Sequence, residues 1–171
     1  MGGRAEPIRA LCAHANFKFT DQRVTGEEFA QMKAFNDLPM DAVPIWLENG
    51  LTICQANAIL RMLGIRLNYY AEDPETAYAI DSICDFMDDL VPKFSAYLFP
   101  LTKGEPLGDP EAWLAEFWDK MISVVERRMN KHGKKFVAGT DRPTIADFKL
   151  FAPVSFATKV NPACKVPKDI E

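Results

Sequence analysis

The chain has 171 residues, 48% of them hydrophobic, enough to bury a sizeable core in one large or two small domains. Twenty basic against 24 acidic residues give a net charge of −4 without any long basic run, which speaks against a nucleic-acid surface. No apolar stretch reaches about 18 residues, so no membrane span is expected, and Met1-Gly2-Gly3-Arg4 runs into Glu6 without the apolar core of a signal peptide.

Glu6 and Pro7 suit the first turn of a helix whose apolar face is Ile8, Leu11, Cys12 and Ala15. A strand is expected within residues 17–24, where Phe17, Phe19 and Val24 are apolar and charged residues fall between. Thr25-Gly26-Glu27-Glu28 starts a second helix through Phe29, Met32 and Phe35, and residues 37–41 form an irregular loop. The runs Ile45–Glu48 and Leu51–Cys54 flank Asn49-Gly50, the strongest short hairpin signal, because both turn residues tolerate positive φ. Pro44 cannot donate to a ladder, so Val43 beside it keeps unpaired backbone groups. After Cys54 the period changes. Ala58, Ile59, Met62 and Leu63 fall at helical spacing, predicting a helix that opens near Gln55-Ala56 and ends at Gly64. A helix start of this kind suits a carboxylate, since its N–H groups and its dipole both favour an anion.

Residues 68–75 read as a linker, with Tyr69-Tyr70 packing between domains, and beyond Glu75 the strand signals disappear. Residues 77–97 predict a long helix with Ile80, Ile83, Cys84, Met87, Leu90 and Phe94 on its core face. Asp81, Asp85 and Asp89 form a like-charged stripe on it, by default a solvated one. A further helix is expected over 110–132, stopped by Gly133, and Thr144 with Asp147 has the spacing of a capping box. Cys12, Cys54, Cys84 and Cys164 are scattered, without a CxxC, and read as reduced thiols of a cytoplasmic protein. His14 and His132 are isolated, so no metal site is expected.

Val43-Pro44, the hairpin, and then Gln55 with Ala58-Ile59, Arg61 and Leu63 resemble the glutathione-binding half of a cytosolic glutathione transferase, in particular the sigma-like branch. The phrase Gly-Arg-Ala-Glu-Pro-Ile-Arg at residues 3–9 resembles the start of that family's first helix, and Gly139-Thr140 through Asp147 resembles its buried capping box. The resemblance covers nearly the whole chain and implies an α/β thioredoxin-like domain over 1–67, the linker over 68–75, and an all-α helical domain over 76–171. It implies a cis Val43-Pro44 bond, with the Val43 backbone paired to the cysteinyl part of glutathione. Gln55 and the residue after it would hold the γ-glutamyl carboxylate. That residue is Ala56 where the family has serine, and Ala42 replaces a polar residue common in relatives. Arg4 would lie by the glutathione pocket, and Lys33, four residues after Phe29, would meet the glycyl carboxylate. Without the resemblance both are solvated surface charges. Asp89-Leu90 matches an aspartate that reaches the γ-glutamyl ammonium in the neighbouring subunit, which implies a homodimer.

Transferase chemistry needs a glutathione thiolate, and a free thiol with pKa near ~8.5 is only about a few per cent ionised at pH 7. In the family a hydroxyl on the first strand lowers that pKa. Tyr69, Tyr70, Tyr78 and Tyr97 fall in the linker and second domain, and Cys12 falls inside a helix, so the catalytic residue is expected upstream of Met1. The family's pattern is thus clipped at both ends. The leading expectation is conjugation of glutathione, as co-substrate, to small electrophiles, or reduction of peroxides, without a metal. The rival is a non-catalytic subunit of the same fold in a larger assembly, and a glutathione-dependent isomerase is a third reading.

Overall fold

The computed structural model describes residues 3–106, 109–161 and 163–167. The chain divides into two units, Met1–Tyr70 and Ala71–Glu171. In the first, a 3-10 turn Gly3–Ala5 runs into α1 (Glu6–His14), followed by α2 (Gly26–Ala34), the strands β1 (Ile45–Glu48) and β2 (Leu51–Cys54), and α3 (Ala56–Leu67). The second is helical among its described residues: α4 (Pro74–Thr102), α5 (Pro110–Trp113), a π-helical segment Leu114–Trp118, α6 (Asp119–His132) and α7 (Ile145–Val160).

Asn49 and Gly50 adopt φ of 51° and 77°, the turn that matches strand twist, and the hairpin takes the predicted bounds. Ile8, Leu11 and Cys12 of α1 are buried against α3, where Ile59, Leu60 and Leu63 are also buried. Each such aliphatic side chain contributes about 1.5–3 kcal/mol of burial. Glu48 accepts from Arg66 at 2.7 Å and from Trp46 Nε1 at 3.3 Å, fastening β1 to the last turn of α3.

No ladder forms over residues 17–24, where a strand was expected. A strand needs a neighbour for its N–H and C=O groups, and among the described residues none runs alongside. The segment is held by side chains instead. The rings of Phe17 and Phe19 lie 6.2 and 6.0 Å from Trp46, and Asp21 accepts from Arg9 at 3.0 Å. Arg9, with Arg23 beside it, holds the Asp21 carboxyl below its ordinary range. Thr25 and Glu28 close a capping box on α2, which buries no residue and leaves Phe35 exposed.

Gly64 does not end α3; it is a buried interior residue. The stop comes at Asn68, whose φ of 67° lets its own N–H and that of Tyr69 reach Ile65 and Gly64. Tyr69, expected between domains, pairs with His14 of the first unit at 2.8 Å.

In the second unit α4 packs on α7, and Ile80, Ile83, Cys84, Met87 and Leu90 are buried as its spacing predicts. The helix is longer than expected, since Pro74 suits a helix start and Pro92 and Pro100 lie within it. Phe94, Tyr97, Trp113, Phe117 and Phe156 form an aromatic cluster with centroids 4.6–6.1 Å apart. Lys149, buried on α7, reaches Asp88 of α4 at 2.7 Å. The helix expected over 110–132 is continuous but carries the π segment, and Gly133 closes it at φ 59°.

Candidate functional site

Ile45 lies opposite Cys54 in the ladder, so the residues just beyond that pair flank the open end of the hairpin. On one side stand Val43 and Pro44, joined by a cis peptide bond as expected, with Val43 39% exposed. On the other side stand Gln55 and Ala56, where β2 passes straight into α3. This junction is short because Gln55 makes the whole change of direction. Its φ of 71° with ψ of 115° is a conformation that residues with a Cβ rarely adopt, at a cost on the order of 1–3 kcal/mol. Such strain persists where the surroundings over-determine it, and here a hairpin on one side and a buried helix on the other do so.

The i→i+4 ladder of α3 begins with the Ile59 N–H donating to the Gln55 carbonyl at 3.0 Å. The first-turn N–H groups lie ahead of that ladder, at the positive end of the helix dipole. The Gln55 side chain does not cap the helix. Its Nε2 donates instead to the Sδ of Met40 at 3.2 Å, bringing the loop over residues 37–41 to the same place. Chemically the cluster offers donors to an anion at the helix start, an amide, and the backbone groups of the exposed residue Val43.

Val43, Pro44, Gln55 and Ala56 are therefore neighbours. Arg4 is exposed in the 3-10 turn, and Lys33 lies late in α2 with its ammonium 5.8 Å from the ring centroid of Phe29. Among the described residues no hydrogen bond or ion pair ties either to Gln55. Asp89 is exposed on α4, in the other unit. None of Met40, Val43, Pro44, Gln55 and Ala56 carries a hydroxyl or a thiol. Burial pushes the Cys12 thiol up, and burial with Asp119 nearby pushes that of Cys164 up to about 11, so neither is a ready nucleophile. Two features escaped the sequence reading, the strain at Gln55 and its contact with Met40. Neither a positive φ in a glutamine nor a thioether contact fifteen residues away leaves a pattern in sequence.

A hairpin that sets a Val-Pro backbone beside a helix start, followed by an all-helical unit, is the glutathione transferase fold: a thioredoxin-like N-terminal domain and a helical C-terminal domain. The solved structure of NaGST-2 matches it with a TM-score of 0.83 at 27% identity, covering 96% of this chain and 80% of that one. The chain is 28% identical over 163 residues to a glutathione S-transferase of Dirofilaria immitis, spanning 95% of this chain and 76% of the relative. To glutathione S-transferase alpha-3 of Rattus norvegicus it is 28% identical over 166 residues, spanning 94% and 72%. No family model matches the chain. These likenesses support the glutathione S-transferase family without distinguishing its branches. Among the described residues no helix is long and apolar enough to cross a membrane.

Proposed function

We propose that the chain is a glutathione transferase of the sigma-like branch that binds glutathione at the open end of its hairpin. The observation that carries this reading is Gln55, held in a strained conformation at the start of α3 beside the exposed residue Val43. The γ-glutamyl carboxylate takes the first-turn N–H groups of α3. The cysteinyl backbone pairs with Val43, which fixes the sulfur near the hairpin end. The thiolate then attacks an electrophilic carbon, its lone pair forming the C–S bond while the leaving group departs with the electrons of the bond that breaks. The hydroxyl that lowers the thiol pKa lies outside the residues gathered here. Arg4 and Lys33 contribute positive charge to glutathione, and Asp89 meets the γ-glutamyl ammonium bound by the partner in a cytoplasmic homodimer.

A second reading, a non-catalytic subunit of a larger assembly, draws support from Ala56. The hydroxyl missing there would have donated to a carboxylate, a bond worth roughly 1.5–3 kcal/mol, or about ten- to a hundredfold in affinity. Calorimetric titration of glutathione into the full protein and its Ala56→Ser variant decides between the two. Serine suits a helix N-terminus, so the variant should fold. Tighter binding by the variant is the expected result. No binding by either folded protein would refute the transferase and leave the subunit. For the dimer, sedimentation at micromolar concentration should give twice the chain mass, and a monomer would remove the role of Asp89.

A further inference from the structure

We infer that Met40 is a positioning residue for the γ-glutamyl end of glutathione, acting through the amide of Gln55; this rests on the reading of the hairpin end as a glutathione site. The contact is built from both sides. Met40 sits in a turn closed by the Asp41 N–H donating to the Leu38 carbonyl at 3.1 Å, and Leu38 is anchored in the core at 4% exposure. Asp41 itself has φ 49°, which turns the chain back toward Val43. Gln55 meets the thioether from the strained end of α3, with Nε2 3.2 Å from Sδ. Met40 is more than half exposed, so hydrophobic burial does not account for its position.

The chemistry of the pair sets the direction of the amide. A thioether sulfur has no hydrogen to give and only accepts, so the amide nitrogen must face it. The carbonyl oxygen of Gln55 is then left on the side away from Met40, presenting an acceptor at the hairpin end. An acceptor there suits a cation rather than an anion. The division of labour follows. The helix N–H groups take the ligand's carboxylate, and Gln55 Oε1 takes its ammonium. Without Met40 the amide turns freely, and half of its orientations place NH₂ against the ammonium. Met40 thereby selects a ligand end that carries both charges, the α-amino acid end of a γ-glutamyl compound.

The test uses the full chain, glutathione, and des-amino glutathione (glutaryl-cysteinylglycine), which keeps the carboxylate and lacks the ammonium. Met40→Leu preserves bulk at an exposed position and removes the acceptor, and far-UV circular dichroism checks its fold. Glutathione should bind the variant up to about twofold more weakly, the factor that a two-way amide orientation sets, while the des-amino compound binds both proteins alike. In a Gln55→Ala background Met40→Leu should change nothing further. Equal losses for both ligands, or a loss that persists without Gln55, would overturn the assignment, as would unchanged glutathione binding by Met40→Leu. Failure of the wild-type protein to bind either ligand would instead refute the glutathione site itself, and the role of Met40 with it.

Discussion

Asp147 offers the sharpest test of what holds the helical unit together. Its carboxylate accepts from the Thr144 N–H at 2.7 Å, the Thr144 hydroxyl at 3.0 Å and the Val137 N–H at 3.0 Å. Thr144 and Val137 are 4% and 2% exposed, so neither N–H can turn to water once the acceptor is gone. Asp147→Ala therefore leaves two buried N–H groups unpaired, the Thr144 cap donor among them, at about 1–3 kcal/mol each. One term opposes this. Burial raises the Asp147 pKa, so the folded state holds that proton more tightly than the unfolded chain. Ionisation of Asp147 thus works against folding as pH rises through the raised pKa, and alanine relieves that desolvation. The net cost at pH 7 should be about 2–4 kcal/mol, read from urea unfolding of the full chain by far-UV circular dichroism. The box on α2 is the control: Glu28 accepts from the Thr25 N–H in the same pattern, but on an exposed surface. Glu28→Ala should shift the midpoint far less. Equal shifts for the two variants would refute the claim that burial of the donors, rather than the capping motif, sets the cost.

Gly139 has φ 76°, and a Cβ built there would stand 2.9 Å from Cγ of His132, so Gly139→Ala should cost about 1–3 kcal/mol. Adding His132→Ala should recover only part of it in thermal unfolding, because the contact goes and the backbone strain stays. Among the thiols, Cys54 is half-buried while Cys12 and Cys164 are buried and pushed up, Cys164 to about 11. Iodoacetamide at pH 8 should label Cys54 first by mass spectrometry. Between the unfolded value of about 8.5 and the folded value the folded state keeps the Cys164 proton that the unfolded chain gives up, so stability should fall across that alkaline window.

What the sequence made legible was local. Asn49-Gly50 defines the hairpin to the residue because two positive φ values in succession suit few other pairs. Thr144 and Asp147 announce the cap of α7 by spacing alone, and the apolar spacing of α4 names its buried face. Non-local effects were not legible. Gly64 has the form of a helix stop, yet in the interior of α3 it is buried and the chain stops at Asn68, which tolerates φ 67°. Pro92 and Pro100 lie inside α4, a helix that packs on α7 and continues through both. Residues 17–24 have the composition of a strand, but a strand is a property of two segments. Without a neighbour, Phe17 and Phe19 keep their packing on Trp46 and lose only the ladder.

The same distinction explains why Ala56 does not by itself decide the site. In the proposed glutathione site, recognition at the hairpin end would rest mostly on backbone: the Val43 edge, the first-turn N–H groups of α3, and a Gln55 conformation that costs on the order of 1–3 kcal/mol. Changing one side chain to alanine removes a hydroxyl and leaves the N–H groups and dipole of the helix in place. The side chains then matter for direction. Gln55 presents either a donor or an acceptor depending on what holds its other end, and Met40 at 3.2 Å can hold only the nitrogen. In the proposed site an anion-attracting helix start and a Gln55 carbonyl oxygen turned from Met40 would form a pair of opposite preferences. That pair fits a zwitterionic end better than a plain carboxylate.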